Sequence, residues 1–212
     1  MKKHLVLAVI LLAGWATFAQ EAAKKEAPAG WPAGWTVRLD KSTAPAAEFK
    51  FAAMPPGWHI TSGPAGIAYE SSKTAKGNYR IESETFLFDP AEHLEGFGIF
   101  FGGKNLADDA QSYSYFLIRS DGRFLIKQRN GRATKEILPW TENAAIVKWE
   151  AAKNPVKNVL AIEAGAENVD FLVNGQKVAS QPRAQLGAEG VVGLRINHHV
   201  NVHVTNLKVE AR

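Results

Sequence analysis

The chain has 212 residues, a formal net charge of +4 and no cysteine. Charges of both signs are interspersed and no basic run goes beyond Lys24-Lys25, so the composition excludes the basic stripe of a nucleic-acid-binding protein. Without cysteine there is no thiol catalysis and no disulfide, and the fold must be stabilised by burial alone.

The N-terminal residues have the pattern of a secretory signal peptide. Residues 2–4 are Lys-Lys-His, residues 5–13 form an apolar run, and residues 16–19 offer small side chains before a cleavage point near Gln20. This run is short for a membrane span, which needs about 20 apolar residues, and an uncleaved anchor is the alternative. The sequence therefore predicts a signal peptide over residues 1–19 and a periplasmic or extracellular protein with no span in its mature part.

Two further segments follow the predicted signal peptide. Residues 20–34 are rich in Ala, Lys, Pro and Gly and are predicted to be a flexible tether, in which Trp31 begins to dock onto the domain together with Trp35. Residues 35–212 are predicted to form a single domain, since a chain of this length suffices for one sizeable hydrophobic core.

The domain is a succession of short strand patterns separated by turn signals. Asp-Gly at 121–122 and Asn-Gly at 130–131 and 174–175 predict hairpins, because these residues tolerate the positive φ of tight turns. The strand spacing of about 8–12 residues predicts an all-β fold, an antiparallel two-sheet β-sandwich of the jelly-roll type. The predicted strands cover residues 47–52, 57–61, 66–70, 77–88, 96–102, 112–119, 123–129, 144–149, 157–163, 168–173, 176–179, 190–197 and 199–209.

Several strands alternate polar and apolar residues, which predicts one buried and one open face for each. If these strands share a sheet, their open faces form a continuous polar surface with aromatic rings. Such a groove suits a carbohydrate, because sugar C–H faces stack on aromatic rings and hydroxyl groups hydrogen-bond to polar side chains. The predicted ligand-binding residues are Arg80, Tyr113, Tyr115, Lys127, Arg129, Arg195 and Asn197.

The order of motifs in the second half of the chain resembles a known superfamily. Residues 171–178 are a strand, an Asn-Gly turn and a strand, followed by strands at 190–196 and 202–209, and residues 95–103 and 115–119 fit central strands. This order is similar to concanavalin A-like jelly rolls, in particular to exported 3-keto-disaccharide hydrolase domains and laminin-G-like modules. The resemblance implies a β-sandwich and, because such folds host many functions, no single activity.

The family motifs that carry catalysis are absent. The Glu-x-Asp-x-x-Glu strand motif of laminarinase-type glycoside hydrolases is not found. The Asn-Ser-Gly-plus-Arg strand of keto-disaccharide hydrolases is replaced by Gly-Ile-Phe-Phe-Gly-Gly at 98–103. No catalytic residue is therefore carried over from the resemblance.

Glu82 and Glu84 are the best candidates for a catalytic pair of carboxylates. At i and i+2 on one strand they point the same way, about 6.5–7 Å apart, which is compatible with glycoside hydrolysis. Arg80 on the same face would hold one of them ionised. The alternative is a solvated strand face with cross-strand ion pairs.

Metal sites have weaker support in the sequence, and no cofactor is predicted. His198, His199 and His203 are close in sequence, but on a strand the last two are about 13 Å apart and need another ligand such as His59. Oxygen ligands for calcium are also present in loops, without EF-hand spacing. These are Asp89, Asn105, Asp108 and Asp109.

Three functions remain open at this point. The favoured hypothesis is an exported carbohydrate-binding or recognition module with a glycan as its partner. The second is an envelope structural or protein-interaction domain without a small ligand. The third is a glycoside-acting hydrolase that uses Glu82 and Glu84 as acid and base or nucleophile.

Overall fold

A computed structural model describes residues 31–212, so the predicted signal peptide and most of the predicted tether lie outside the described residues. Fifteen strands form in this part of the chain. They are β1 (Thr36–Leu39), β2 (Phe49–Ala53), β3 (Trp58–Ser62), β4 (Gly66–Ala75), β5 (Tyr79–Leu87), β6 (Phe97–Lys104), β7 (Ser112–Ile118), β8 (Arg123–Asn130), β9 (Ala133–Glu142), β10 (Val156–Ala164), β11 (Asn168–Val173), β12 (Gln176–Pro182), β13 (Gly190–Ile196), β14 (Asn201–Val204) and β15 (Lys208–Ala211).

The strands form two antiparallel sheets, which confirms the predicted sandwich. The first sheet has the order β1-β4-β13-β6-β7-β8-β9. The second has the order β12-β11-β10-β5-β14-β3-β2, and β15 also pairs with β5. Neighbours such as β13 between β4 and β6 are far apart in sequence, so the fold depends on long-range pairing.

The main hydrophobic core lies between the two sheets. Alternation places one face of each central strand in it, as in β5, where Tyr79 and Ile81 point inward and Arg80 points outward. At the centre Phe171 contacts the rings of Phe101 and Phe116, with ring centroids 6.0 and 5.2 Å apart. These rings are fully buried and supply much of the apolar area that holds the sheets together.

The strand boundaries differ from the sequence prediction at several places. β1 and β9 are absent from the predicted strands, and the predicted strand at 144–149 is irregular in the structure. The predicted strand at 199–209 is divided into β14 and β15 by the segment 205–207. The Asn-Gly signal at 130–131 was correct, because it joins β8 to β9.

The N-terminal tryptophans dock onto the sandwich. Trp35 is buried and meets the rings of Phe51 and Trp58 edge-on, at centroid distances of 5.1 and 4.7 Å. Trp31 is half-buried, and its Nε1 donates a hydrogen bond to the carbonyl of Phe49 at 3.2 Å.

The helical segments among residues 31–212 are three single turns of 3-10 helix, at Ala46–Glu48, Ala151–Lys153 and Arg183–Gln185. Within that part of the chain, no helix has the length and hydrophobicity needed to cross a membrane.

Gly193 provides space on the outer face of the first sheet. It lies in β13 opposite Tyr69 on one side and Phe100 on the other. A Cβ atom here would stand 2.3 Å from Phe100 Cε1 and 2.4 Å from the carbonyl oxygen of Ala68. The absent side chain therefore lets the Phe100 ring lie flat against the sheet.

We expect Gly193→Ala to lower the free energy of unfolding by about 1–3 kcal/mol, because both the Phe100 ring and the backbone of β4 must move to admit a methyl group. Urea unfolding measures this. The matched control is Gly165→Ala, where the nearest atom to an added Cβ is 3.6 Å away. The control should change stability by less than about 0.5 kcal/mol, and equal effects of the two variants would contradict the packing argument.

Candidate functional site

A second, smaller buried cluster lies on the outer face of the first sheet, away from the main core. It is unusual for a sandwich, since the outer face of an antiparallel sheet commonly faces water. Phe100 is at its centre, with ring contacts to Tyr69 and Tyr113 at centroid distances of 6.2 and 5.2 Å. The buried members are Ile67, Tyr69, Phe100, Leu106, Tyr113, Tyr115, Leu117 and Leu125.

The loop that follows β6 covers part of this face. Its Leu106 is buried in the cluster. Arg38 of β1 anchors the loop, because its Nη1 donates a 3.0 Å hydrogen bond to the carbonyl of Leu106. The open face predicted for Tyr113 and Tyr115 is therefore wrong: both rings are buried.

Asp40, the residue after β1, binds two arginines from distant strands. Arg195 of β13 donates from Nη1 and Nη2 to the two carboxylate oxygens, at 2.5 and 2.7 Å. Arg129 of β8 donates from Nη2 to Asp40 Oδ2 at 3.2 Å. The side chain of Asp40 is 25% exposed, whereas those of Arg195 and Arg129 are 6% and 11% exposed. We call Asp40, Arg129 and Arg195 the Asp40 cluster.

The charges of this cluster are strongly coupled. Burial by itself would raise the pKa of Asp40, but the hydrogen bonds and charge of Arg195 and the charge of Arg129 outweigh it, and the pKa lies below its usual range. Burial would likewise lower the pKa of Arg195, yet Tyr113 and Asp40 hold it above its usual range. Asp40 and Arg195 are therefore both ionised at neutral pH.

The two guanidinium groups also lie over tyrosine rings. Arg195 Cζ is 5.6 Å from the ring centroid of Tyr115, and Arg129 Cζ is 6.0 Å from that of Tyr113. These are cation–π distances. Burial raises the pKa of the Tyr115 hydroxyl, against an opposing effect of Arg195, so the phenol stays neutral.

Trp140 of β9 forms the more accessible end of the same face. It is half-buried and packs against the outer-face cluster, above the position of Gly96. The guanidinium of Arg119 lies 4.5 Å from its ring centroid. Asp121 fixes that guanidinium with two hydrogen bonds of 2.8 Å. A cation held by Asp121 thus lies over one face of a planar ring at the rim.

The structure brings together six of the seven predicted ligand-binding residues. Tyr113, Tyr115, Arg129 and Arg195 lie in or against the Asp40 cluster. Asn197 accepts a 3.2 Å hydrogen bond from Arg195 Nη2. Lys127 pairs with Tyr115 across the β7–β8 ladder, and its Nζ is 3.6 Å from a Glu136 carboxylate oxygen.

Arg80 does not belong to this face, and the expectation of one shared surface is wrong in this respect. β5, which carries Arg80 together with Glu82 and Glu84, lies in the second sheet. Its polar side chains point away from the main core, on the opposite side of the sandwich. The sequence shows alternation within a strand but not which sheet the strand joins.

Glu82 and Glu84 are both engaged in ion pairs on that opposite face. Arg80 binds Glu82 and also Glu163 of β10. Glu84 Oε2 is 2.6 Å from Lys157 Nζ. This hydrogen bond is the largest of the effects that set the pKa of Glu84, which is lowered, so the carboxyl group stays ionised and is a poor proton donor. Their catalytic role stays a prediction.

The histidines proposed as metal ligands have separate partners. His59 contacts Asn201 Oδ1 at 2.8 Å, His203 contacts the carbonyl of Pro56 at 2.9 Å, and His199 stacks on His93 at 4.4 Å. Across residues 31–212, no three His, Asp or Glu side chains are grouped so that they could hold a metal ion.

The acids proposed as calcium ligands are also dispersed. Asp89 and Asp108 accept hydrogen bonds from the backbone N–H groups of Ala91 and Ala110, as in Asx turns. Asp109 pairs with Arg132 at 3.1 Å. Asn105 adopts a positive φ of 52° at the start of the loop.

Four residues of the site are absent from the predicted ligand-binding set: Asp40, Arg119, Asp121 and Trp140. Asp40 stands in no motif, and nothing local distinguishes it from other surface acids. For Trp140 the Pro-Trp pair at 139–140 predicts a turn, with a ring that either caps the core or lines a site, whereas the residue lies in β9. Recognising β9 as the second strand of the Asn-Gly hairpin would have placed Trp140 on the sheet.

Neither a family model nor a curated protein sequence matches the chain. Among solved structures, carbohydrate binding module CBM66 from Bacillus subtilis aligns with a TM-score of 0.62 and 14% identity, over 84% of this chain and 96% of that one. The Emp46p carbohydrate recognition domain in its metal-free form aligns with a TM-score of 0.57 and 12% identity, over 84% and 88%.

A third similar structure is an enzyme, the Bacteroides ovatus mixed linkage glucan GH16 protein in complex with its G4G4G3G product. It aligns with a TM-score of 0.57 and 10% identity, over 87% of this chain and 98% of that one. At these identities the likeness shows the fold. The domain is a concanavalin A-like jelly-roll sandwich, as the motif order implied.

We expect Asp40→Asn to lower the free energy of unfolding by about 3 kcal/mol, because it leaves two buried guanidinium groups without their counter-ion. Equilibrium unfolding in urea measures this change. The control is Asp109→Asn, which removes a carboxylate that is 75% exposed and pairs with the exposed Arg132. The control should cost less than about 1 kcal/mol. An equally small effect of Asp40→Asn would show that the cluster does not stabilise the fold.

The contribution of Asp40 should depend on pH in a defined direction. Its pKa is lowered in the folded state from the ordinary value of 3.8, so the stabilisation is complete above about pH 4 and is lost as the pH falls through the lowered value. The difference in unfolding free energy between the wild type and Asp40→Asn should therefore be constant from pH 7 to pH 5 and shrink below pH 4. A difference at pH 3 that equals the one at pH 7 would contradict the assignment.

Proposed function

We propose that this domain is a carbohydrate-binding module whose ligand lies on the outer face of the first sheet. The observation that carries the proposal is the set of side chains on this face. Buried tyrosines form its floor, the half-buried Trp140 lies at its rim, and ion pairs hold its charged groups in fixed positions. Similar structures that are described as carbohydrate-binding or carbohydrate recognition domains support it.

The chemistry of this face matches a polyhydroxylated ligand. Sugar rings present C–H faces that stack on an aromatic side chain such as Trp140, while their hydroxyl groups exchange hydrogen bonds with charged and amide groups. Arg119, which lies over one face of Trp140, and Lys127 and Asn197 further along offer such groups at partly exposed positions. Because Asp121 fixes Arg119, little side-chain entropy is lost when a ligand binds there.

Two carboxyl groups on this face favour ligand binding over hydrolysis, because they are engaged by arginines. A glycosidase needs one carboxyl group that donates a proton, and its pKa must be raised. Asp40 has the opposite shift, and Asp121 accepts two hydrogen bonds from Arg119. We therefore assign these acids to holding cations in position. The predicted signal peptide would place this module outside the cytoplasm, where it meets extracellular or envelope glycans.

A glycan panel tests the proposal. We expect at least one soluble oligosaccharide to raise the melting temperature of the protein without release of reducing ends. Trp140→Leu should weaken that binding at least about ten-fold. The reason is that stacking of a ligand ring on one aromatic side chain contributes on the order of 1–3 kcal/mol. Isothermal titration calorimetry measures the affinity.

The matched control is Trp58→Leu, which alters a half-buried tryptophan of the second sheet. Its glycan affinity should equal that of the wild type. Equal losses in the two variants would argue against the outer face of the first sheet as the site. Release of reducing ends would favour the hydrolase hypothesis instead, and a panel without any binding would overturn the proposal in favour of a protein-interaction role.

A further inference from the structure

The outer face of the first sheet carries more positive than negative charge in its buried part. Two guanidinium groups share the single carboxylate of Asp40. Within residues 31–212, the guanidinium of Arg38 has Asp109 as its one ion partner, at 3.7 Å. Asp109 is 75% exposed and also binds Arg132. The interior of this face thus has a surplus of cationic donors over acceptors.

The same surplus is visible in the hydrogen bonds. Arg129 and Arg195 are more than nine-tenths buried, with relative exposures of 9% and 5%. The Nε groups of both residues, and that of Arg38, are buried and have no hydrogen-bond acceptor in the part of the chain that the structure describes. A buried donor without an acceptor is costly, so this face lacks acceptor oxygens and negative charge.

Arg129 is the less engaged member of the Asp40 cluster. Arg195 binds both oxygens of Asp40 and also Asn197, whereas Arg129 reaches Asp40 through Nη2, with one bond of 3.2 Å. The neighbouring tyrosines do not add negative charge, since burial raises the pKa values of Tyr69 and Tyr115 and keeps their hydroxyls neutral. A planar carboxylate matches the fork geometry of a guanidinium.

We propose, on the basis of the function proposed above, that the saccharide bound by this face is acidic. Its ligand is a uronate oligosaccharide whose carboxylate lies against Arg129 while a ring further along the oligomer stacks at Trp140. Trp140 lies opposite the 124–126 segment of β8, about 13 Å along the strand from Arg129, so the oligomer must span this distance. The carboxylate supplies the charge and the acceptor oxygens that the face lacks, and it meets the part of the Arg129 side chain that is open to solvent, 11% of its surface.

A matched pair of ligands tests this inference with the full-length protein. The probes are hexagalacturonate and the same oligomer with every carboxylate methyl-esterified, which differ in charge and not in ring structure. At physiological ionic strength, where exposed charges are screened, we expect calorimetry to show at least about ten-fold tighter binding of the acid. Arg129→Gln should abolish this preference. The control Arg132→Gln, which removes a cation that is 90% exposed, should keep it.

The outcomes separate this inference from the proposed function. Two results overturn the acidic preference and leave the carbohydrate-binding proposal standing. The first is that the ester binds as tightly as the acid or more tightly, and the second is that only neutral glycans bind, through Trp140. Displacement of hexagalacturonate by an equal concentration of sodium acetate overturns the saccharide requirement. No binding of any glycan overturns both proposals. If Arg129→Gln does not fold, the comparison of acid and ester on the wild type decides the inference without it.

Discussion

The carboxylate of Asp40 is the contact on which the outer face of the first sheet depends. Arg195 and Arg129 come from β13 and β8, which are separated in the sheet by β6 and β7. Two buried guanidinium groups repel each other and cannot be neutralised by losing a proton, so they converge only around an anion. Asp40 supplies it from the end of β1 at the sheet edge, and the tyrosine rings then pack beneath the cations.

The buried outer-face cluster changes what a jelly-roll sheet can offer to a ligand. Gly193 leaves room for Phe100, and the loop containing Leu106 closes over the neighbouring rings. The middle of the face is therefore a packed floor rather than an open groove. The accessible chemistry is concentrated at its rim, where Trp140 and Arg119 stand together.

The two outer faces of the sandwich differ in how their charges are balanced. On the second sheet, Arg80 binds two carboxylates, those of Glu82 and Glu163, and Lys157 binds Glu84, so each acid has a cation. On the first sheet, two buried arginines share one acid. A face whose charges are already matched gains little from a charged ligand, while a face with a cationic surplus gains both charge compensation and hydrogen bonds.

The sequence by itself determined the class of fold, because alternation, hairpin turns such as Asn174-Gly175 and the absence of helical periodicity are local properties of a strand and its turns. It also determined the side of the strand on which residues such as Tyr115, Arg129 and Glu82 lie. Only the tertiary structure decided which of these sides meet, since sheet order comes from long-range pairing. It separated Arg80 from Arg195 and joined Asp40 to two distant strands. It also buried Tyr113, because the burial of a side chain depends on the loop that packs above the sheet and not on the residue itself.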